Sequence, residues 1–202
     1  MVYQPVKAII FDFVGVLLRR RSDYQPEPLV EAVDAIIGHV VDDCQFKTTI
    51  LQDYKLSEEE FERILQSVVD KYVAYQLLWE LLQELRKRYK LVIINNGTWL
   101  TYSFFNARFN MAQTFDLFIS SAQEGIAKPD VRIYQRACHM LHLAATECLF
   151  MDDSLENIIA AQRMGMQGIH WLDHEQGFEQ FLKFLRETEN SKGCSQSNYF
   201  QR

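Results

Sequence analysis

The chain has 202 residues, 48% of them hydrophobic, which suits one compact α/β core with an insertion or one domain plus a small second one. Its net charge of −6 argues against a general nucleic-acid binder, because neutralising phosphates needs a basic surface. Cys44, Cys138, Cys148 and Cys194 show no paired C-x-x-C spacing, so reduced thiols are expected, with neither zinc nor disulfides.

In chain order, the first element predicted is a strand over Lys7–Phe13, inside an apolar run from Ala8 to Leu18. That run is not read as a secretory signal. Asp12 interrupts it, and Arg19, Arg20 and Arg21 follow it instead of preceding it. No stretch reaches the length of a membrane span, so a cytoplasmic protein without a membrane partner is expected. The long stretch from Arg20 to Tyr75 then holds helical segments in place of a single crossover. Leu29, Val33, Ile36, Ile37 and Val40 form one stripe, and Phe61, Ile64, Leu65, Val68, Val69 and Tyr72 form another. Ser57 and Glu60 open the second in capping-box spacing.

Beyond the insertion, Leu77, Leu78, Leu81, Leu82 and Leu85 predict a helix before a strand over Leu91–Asn95. A strand over Leu117–Ser120 follows. Ile133, Tyr134, Ala137, Met140 and Leu141 predict a helix before a strand over Cys148–Met151. Ser154 and Gly165 bracket a further helix, with Ser154 as N-cap, ahead of a last strand over Gly168–Leu172. This alternation predicts a parallel sheet covered on both faces. The tail from Glu187 onward is polar and is expected to be mobile.

Open α/β sheets bind ligands at the carboxyl ends of their strands, and polar residues fall at four such places. Asp12 closes the first strand, in Phe11-Asp12-Phe13-Val14-Gly15. Asn95 and Asn96 close the second, ahead of Gly97 and Thr98. Lys128 follows the third, with Pro129 placed to start a helix. Asp152 and Asp153 close the fourth, ahead of Ser154. Three converging carboxylates repel one another and need a cation, and all-oxygen ligation suits Mg²⁺. A lysine opposite would neutralise a dianionic substrate, and an aspartate can attack phosphorus to form an acyl-phosphate.

In order and spacing these segments resemble the haloacid dehalogenase-like superfamily up to about Leu172. The resemblance rests on Asp12 with Gly15 and Val16, on Gly125-Ile126-Ala127-Lys128-Pro129-Asp130, and on Asp152-Asp153-Ser154-Leu155-Glu156-Asn157. It implies a Rossmann-like core over 1–19 and 76–186 and a helical cap over 20–75, with 187–202 as the tail. It also implies a hydrolase with Asp12 as nucleophile and Lys128 as its catalytic partner. Asn95, Asn96 and Lys128 would hold a phosphate. Asp12, the Val14 carbonyl, Asp152 and Asp153 would hold Mg²⁺, with Asp153 favoured over Asp152 for direct contact. A small phosphorylated metabolite is the expected partner.

Two positions depart from that pattern. Val14 stands where phosphatases of the family usually carry an acid–base Asp, a loss of about 10²- to 10⁴-fold in rate. Asn95 stands where Ser or Thr is usual, and an amide can donate to phosphate as a hydroxyl can. Val14 keeps open a catalytically weakened relative that binds metal and a phosphorylated ligand. Carbon–halogen hydrolysis through Asp12 fits less well, because paired aspartates imply a metal. Read as a loop residue, Lys128 should be removable with the fold left stable. Arg19, Arg20 and Arg21 read as a solvated turn, Trp99 and Tyr102 as packing, and the five histidines have no assigned role.

Overall fold

The computed structural model describes residues 5–191. In chain order it runs through β1 (Ala8–Phe11), β2 (Leu18–Arg20), α1 (Pro28–Ile37), α2 (Asp43–Asp53) and α3 (Glu58–Asp70). Next come β3 (Tyr72–Ala74), α4 (Gln76–Leu85), β4 (Lys90–Asn95), α5 (Tyr102–Phe109) and α6 (Met111–Thr114). The remainder is β5 (Leu117–Ser120), α7 (Ser121–Glu124), α8 (Val131–Leu141), β6 (Cys148–Asp152), α9 (Leu155–Arg163), β7 (Gln167–His170) and α10 (His174–Ser191).

Five strands form one parallel sheet in the order β5-β4-β1-β6-β7. Side chains alternate across a strand, and here both sets are apolar. Ala8, Ile10, Val92, Ile94 and Phe150 face α8 and α9, while Ile9, Phe11, Leu91, Ile93 and Met151 face α4 and α10. A parallel sheet buried on both faces explains the unbroken apolar runs. Each large side chain so buried contributes about 1.5–3 kcal/mol. This is the Rossmann-like arrangement expected. Its strand order turns back between β1 and β6, the place where open α/β sheets bind ligands.

Between β1 and α4 the chain makes a two-stranded antiparallel ribbon, β2 with β3, and carries α1, α2 and α3 between its strands. The predicted capping box holds. Ser57 Oγ accepts from the Glu60 N–H, and the Glu60 carboxylate accepts from the Ser57 N–H at 2.8 Å. Val33, Val40, Phe46, Ile50, Phe61, Ile64 and Leu65 form a core of their own, against which Leu100 and Phe104 of the main body pack.

Several sequence expectations shift. In α1 it is Val30 and Val33 that bury, and Ile36 lies exposed. Leu77 of α4 and Met140 of α8 are exposed as well. Pro129 does not start α8: Asp130 is its N-cap, accepting from the Arg132 N–H at 3.0 Å. Ser154 is the N-cap of α9, but its side chain makes no capping bond.

Neither α2 nor α10 has an expected counterpart. The α10 helix runs through Glu187 to Ser191, and at Gly177 a β-carbon would collide with the Trp171 ring, so the helix lies close on that indole. The rest of the expected tail, with Cys194, lies outside the described residues. No helix among the described residues is long and apolar enough to cross a membrane.

Candidate active site

At the carboxyl ends of β1, β4 and β6 the structure gathers Asp12, Val14, Asn95, Asn96, Lys128, Asp152 and Asp153 around one cavity of about 290 Å³. Every site residue expected from the sequence lines it. Arg19, Arg20 and Arg21 do not. Arg20 pairs with Glu31 at 3.1 Å and Arg21 with Asp23 at 2.8 Å. Trp99 and Tyr102 stack on each other at 4.1 Å and pack edge-on against Phe118.

Asp12 is placed by the sheet. Its N–H continues the β1 ladder onto the Met151 carbonyl at 2.7 Å. The chain then turns sharply through Gly15, whose φ of +104° excludes most side chains and where a β-carbon would strike the Asp153 carboxylate. Glycine therefore lets the loop after β1 and the end of β6 close on each other.

Lys128 is the electrostatic centre. Its ammonium donates to Asp12 Oδ1 at 2.5 Å and to Asp152 Oδ2 at 2.8 Å, and its side chain is only 2% exposed. The view of Lys128 as a removable loop residue is thus overturned, since this is a buried, doubly paired cation. The loop that carries it is held by Asn96, whose Oδ1 accepts from the Lys128 N–H at 2.8 Å and whose Nδ2 donates to the Lys128 carbonyl at 2.9 Å. Both halves of the Asn96 amide are therefore engaged, while Asn95 points at the same cavity from the end of β4.

Asp152 is fully satisfied. Besides Lys128 it accepts from the Ser154 N–H at 2.8 Å and from Asn157 Nδ2 at 2.9 Å, both on Oδ1. Asn157, in the first turn of α9, lines the cavity and was not among the expected site residues. Its signal was its place in the run after the paired aspartates. The carboxylate of Asp153, by contrast, accepts from its own backbone N–H and has no side-chain partner among the described residues.

Burial pushes the Asp12 carboxyl up to about 7 against the pull of Lys128, with Asp152 and Asp153 adding to the rise. Burial and the charge of Asp152 likewise raise Asp153. Burial alone would lower Lys128, but Asp12 and Asp152 carry it above the ordinary lysine value. One lysine thus faces three carboxylates, each offering an oxygen within 4.8 Å of the others. That excess of negative charge, on hard oxygen donors only, fits a magnesium ion.

The remaining lining is apolar, or comes from the helical insertion or the segment before α5. Phe13, Ile37, Val68 and Phe105 form walls, and Asp34, Tyr72 and Thr101 add polar groups. Sequence reasoning gave none of these a place in the site, because apart from Phe13, next to Asp12, only the chain's path through α1, α3, β3 and α5 brings them over the strand ends.

Among solved structures, the fold is similar to a predicted HAD-like family hydrolase from Porphyromonas gingivalis. The TM-score is 0.68 at 16% identity, over 91% of this chain and 99% of that one. It is also similar to a HAD family enzyme from Bacteroides thetaiotaomicron, solved as a mutant with magnesium and inorganic phosphate. There the TM-score is 0.64 at 18% identity, over 81% of this chain and 92% of that one. At such identities the likeness concerns the fold.

Among curated proteins, a sesquiterpene phosphatase from Aspergillus oryzae is 46% identical over 59 residues, 29% of this chain and 30% of that protein. A phosphatase from Mycobacterium tuberculosis is 40% identical over 52 residues, 26% of this chain and 24% of that protein. Each of these alignments spans less than a third of the relative. The profile of haloacid dehalogenase-like hydrolases matches residues 6–165, from the strand before Asp12 to the end of α9, and the chain belongs to that family.

Proposed function

We propose that this hydrolase cleaves a phosphate ester of a small metabolite, with Mg²⁺, through an aspartyl-phosphate on Asp12. The observation that carries this reading is the buried Lys128 ammonium between Asp12 and Asp152, with the Asp153 carboxylate beside them and not paired to the lysine. Asp12, Asp153 and the Val14 carbonyl would hold the metal, and Asp152 would mainly anchor Lys128. Bound there, magnesium would offset the carboxylate charge and draw electron density from the phosphate oxygens.

Asp12 would attack phosphorus, and the bond from phosphorus to the leaving oxygen would break with its electron pair departing on that oxygen. Water would then attack the same phosphorus, freeing inorganic phosphate and restoring the Asp12 carboxylate, with the surplus proton passing to solvent. Lys128 neutralises charge throughout and keeps Asp12 aimed. Asn95 donates to a phosphate oxygen, and Asn96 acts by holding the Lys128 loop. The helical insertion serves as a cap that excludes water. The names of the two curated relatives support phosphatase chemistry, and the Bacteroides enzyme's magnesium and phosphate support the ligand pair.

Val14 favours a second reading. It lines the cavity with 37% of its surface exposed, where a proton donor would be useful, and it offers none. A weakened relative that binds metal and a phosphorylated ligand would have such a residue. Parallel assays on an aryl phosphate and a haloacid, with and without Mg²⁺, separate the readings. Magnesium-dependent release of phosphate is expected. Phosphate binding without turnover would favour the second reading, and metal-independent halide release would overturn both.

A further inference from the structure

The cavity has a second pole, built from the helical insertion. Asp34 of α1 lines it, and its Oδ2 accepts from both Lys71 Nζ at 2.5 Å and Tyr72 Oη at 2.9 Å. Both donors take the same oxygen. Asp34 Oδ1 receives no hydrogen bond from any described residue. Lys71 is buried, with its side chain 1% exposed, and it also pairs with Glu31 at 2.7 Å, which in turn pairs with Arg20 at 3.1 Å. Two carboxylates are thus balanced by two cations, so this pole carries no net charge to attract an ammonium group. What it offers is one fixed, charge-assisted acceptor.

The same cavity has apolar walls, in which Phe13 and Phe105 stand with Ile37 and Val68. The Phe13 and Phe105 rings meet edge-to-face at 4.7 Å, and Tyr72 lies 6.4 Å from Phe105. At about 290 Å³ the space is at the small end for ligand cavities. The floor also lacks a proton donor at Val14, so the leaving oxygen must be stable without one.

We infer that the leaving group is a single neutral aromatic ring, released as a phenolate, with a hydroxyl opposite the ester that donates to Asp34 Oδ1. The inference rests on the phosphoric-ester reading and names its substrate class, a hydroxylated aryl phosphate. In the step itself the bond from phosphorus to the aryl oxygen breaks, the electron pair stays on that oxygen, and solvent protonates the phenolate afterwards. Asp34 touches only the far end of the ring, so it sets specificity and takes no part in the bond changes.

The test compares 4-hydroxyphenyl phosphate with 4-methoxyphenyl phosphate. Their phenols are of similar acidity, so a difference between them reports on the far end of the ring. With Mg²⁺ the wild type is expected to favour the hydroxylated ester by about 10-fold or more in kcat/KM, the range for a hydrogen bond to a charged group. In Asp34→Asn the amide oxygen should stay with Lys71 and Tyr72. That would put an N–H where Oδ1 stood, and the preference should shift toward the methoxy ester.

Equal kcat/KM for the two esters in the wild type overturns the inference, whether or not Asp34→Asn folds. A fall in kcat for both esters alike in a folded Asp34→Asn also overturns it, as does faster turnover of 4-hydroxybutyl phosphate or of a 4-(aminomethyl)phenyl ester. Calorimetry on Asp12→Asn with Mg²⁺ separates this failure from that of the phosphatase reading. A hydroxyl preference in Kd with no turnover by the wild type supports the pocket and removes the esterase. Binding of inorganic phosphate but of neither ester removes the pocket and leaves the esterase.

Discussion

Val14 and Lys128 show how single side chains set what this site can do. Val14 stands two residues from Asp12, the proposed nucleophile, where it can neither donate nor accept a proton, so the intact protein should work best on leaving groups that need none. Val14→Asp is expected to raise the rate on an alkyl phosphate by about 10²-fold, within the range of general acid–base catalysis. Steady-state rates on an alkyl and an aryl ester check this, and equal alkyl rates with metal bound in both proteins would mean that another group already moves the proton. Lys128→Ala should abolish binding of phosphate or vanadate. Because the lysine is buried between two carboxylates, its loss should also destabilise the fold by about 3–5 kcal/mol, as breaking a buried ion pair does. Mg²⁺ should restore part of that loss. Urea unfolding with and without the metal measures both effects, and unchanged stability would mean that the pocket reorganises to satisfy both carboxylates without the lysine.

Among the elements, α3 is the one whose sequence and structure agree most closely. Its capping box forms as the spacing of Ser57 and Glu60 demands, and its buried face is Phe61, Ile64, Leu65, Val68 and Val69. Ser57→Ala removes the cap and should lower stability by about 1 kcal/mol, read as a shift of the urea midpoint. The strand cores were legible for the same reason, since apolar runs closed by a polar residue mark buried parallel strands. Other elements were not. β2 and β3 have three residues each and exist only because they pair with one another. In α2 only Phe46 and Ile50 are buried, which leaves too thin an apolar stripe to read.

For the molecule as a whole, stability should depend on magnesium and pH together, because the carboxylates meet only when β1 and β6 lie side by side. Burial raises Asp12 from an ordinary 3.8 to about 7 in the metal-free protein. As pH rises between those values the unfolded chain ionises first while the folded one keeps its proton. The contribution of this group to stability therefore falls across that window and levels off above it. Magnesium needs the ionised carboxylate, so its binding releases a proton. The rise in Tm on adding Mg²⁺ is expected to be larger at pH 8 than at pH 6, and at 100 times Kd it corresponds to about 2.7 kcal/mol. Asp153→Asn should reduce that rise at both pH values. A thermal scan showing no Mg²⁺ effect in the wild type at millimolar metal would remove the metal from the proposed function.

By itself the sequence determined the chemistry available at the strand ends. An apolar run must end where it meets a polar side chain, and in a parallel sheet those ends share one edge, so Asp12, Asn95, Asp152 and Asp153 were bound to be candidates, with Lys128 the cation in the loop beyond the third strand. Only the tertiary structure decided how they divide the work. Asn96 proved to be committed to the Lys128 backbone and Asp152 to Lys128, Ser154 and Asn157, while Asp153 has no side-chain partner among the described residues. Asp34 and Tyr72 reach the cavity because the ribbon of β2 and β3 carries three helices out and back over the sheet edge. Which of their atoms remain unpartnered depends on contacts between residues dozens of positions apart, and no local pattern of residue types encodes such distances.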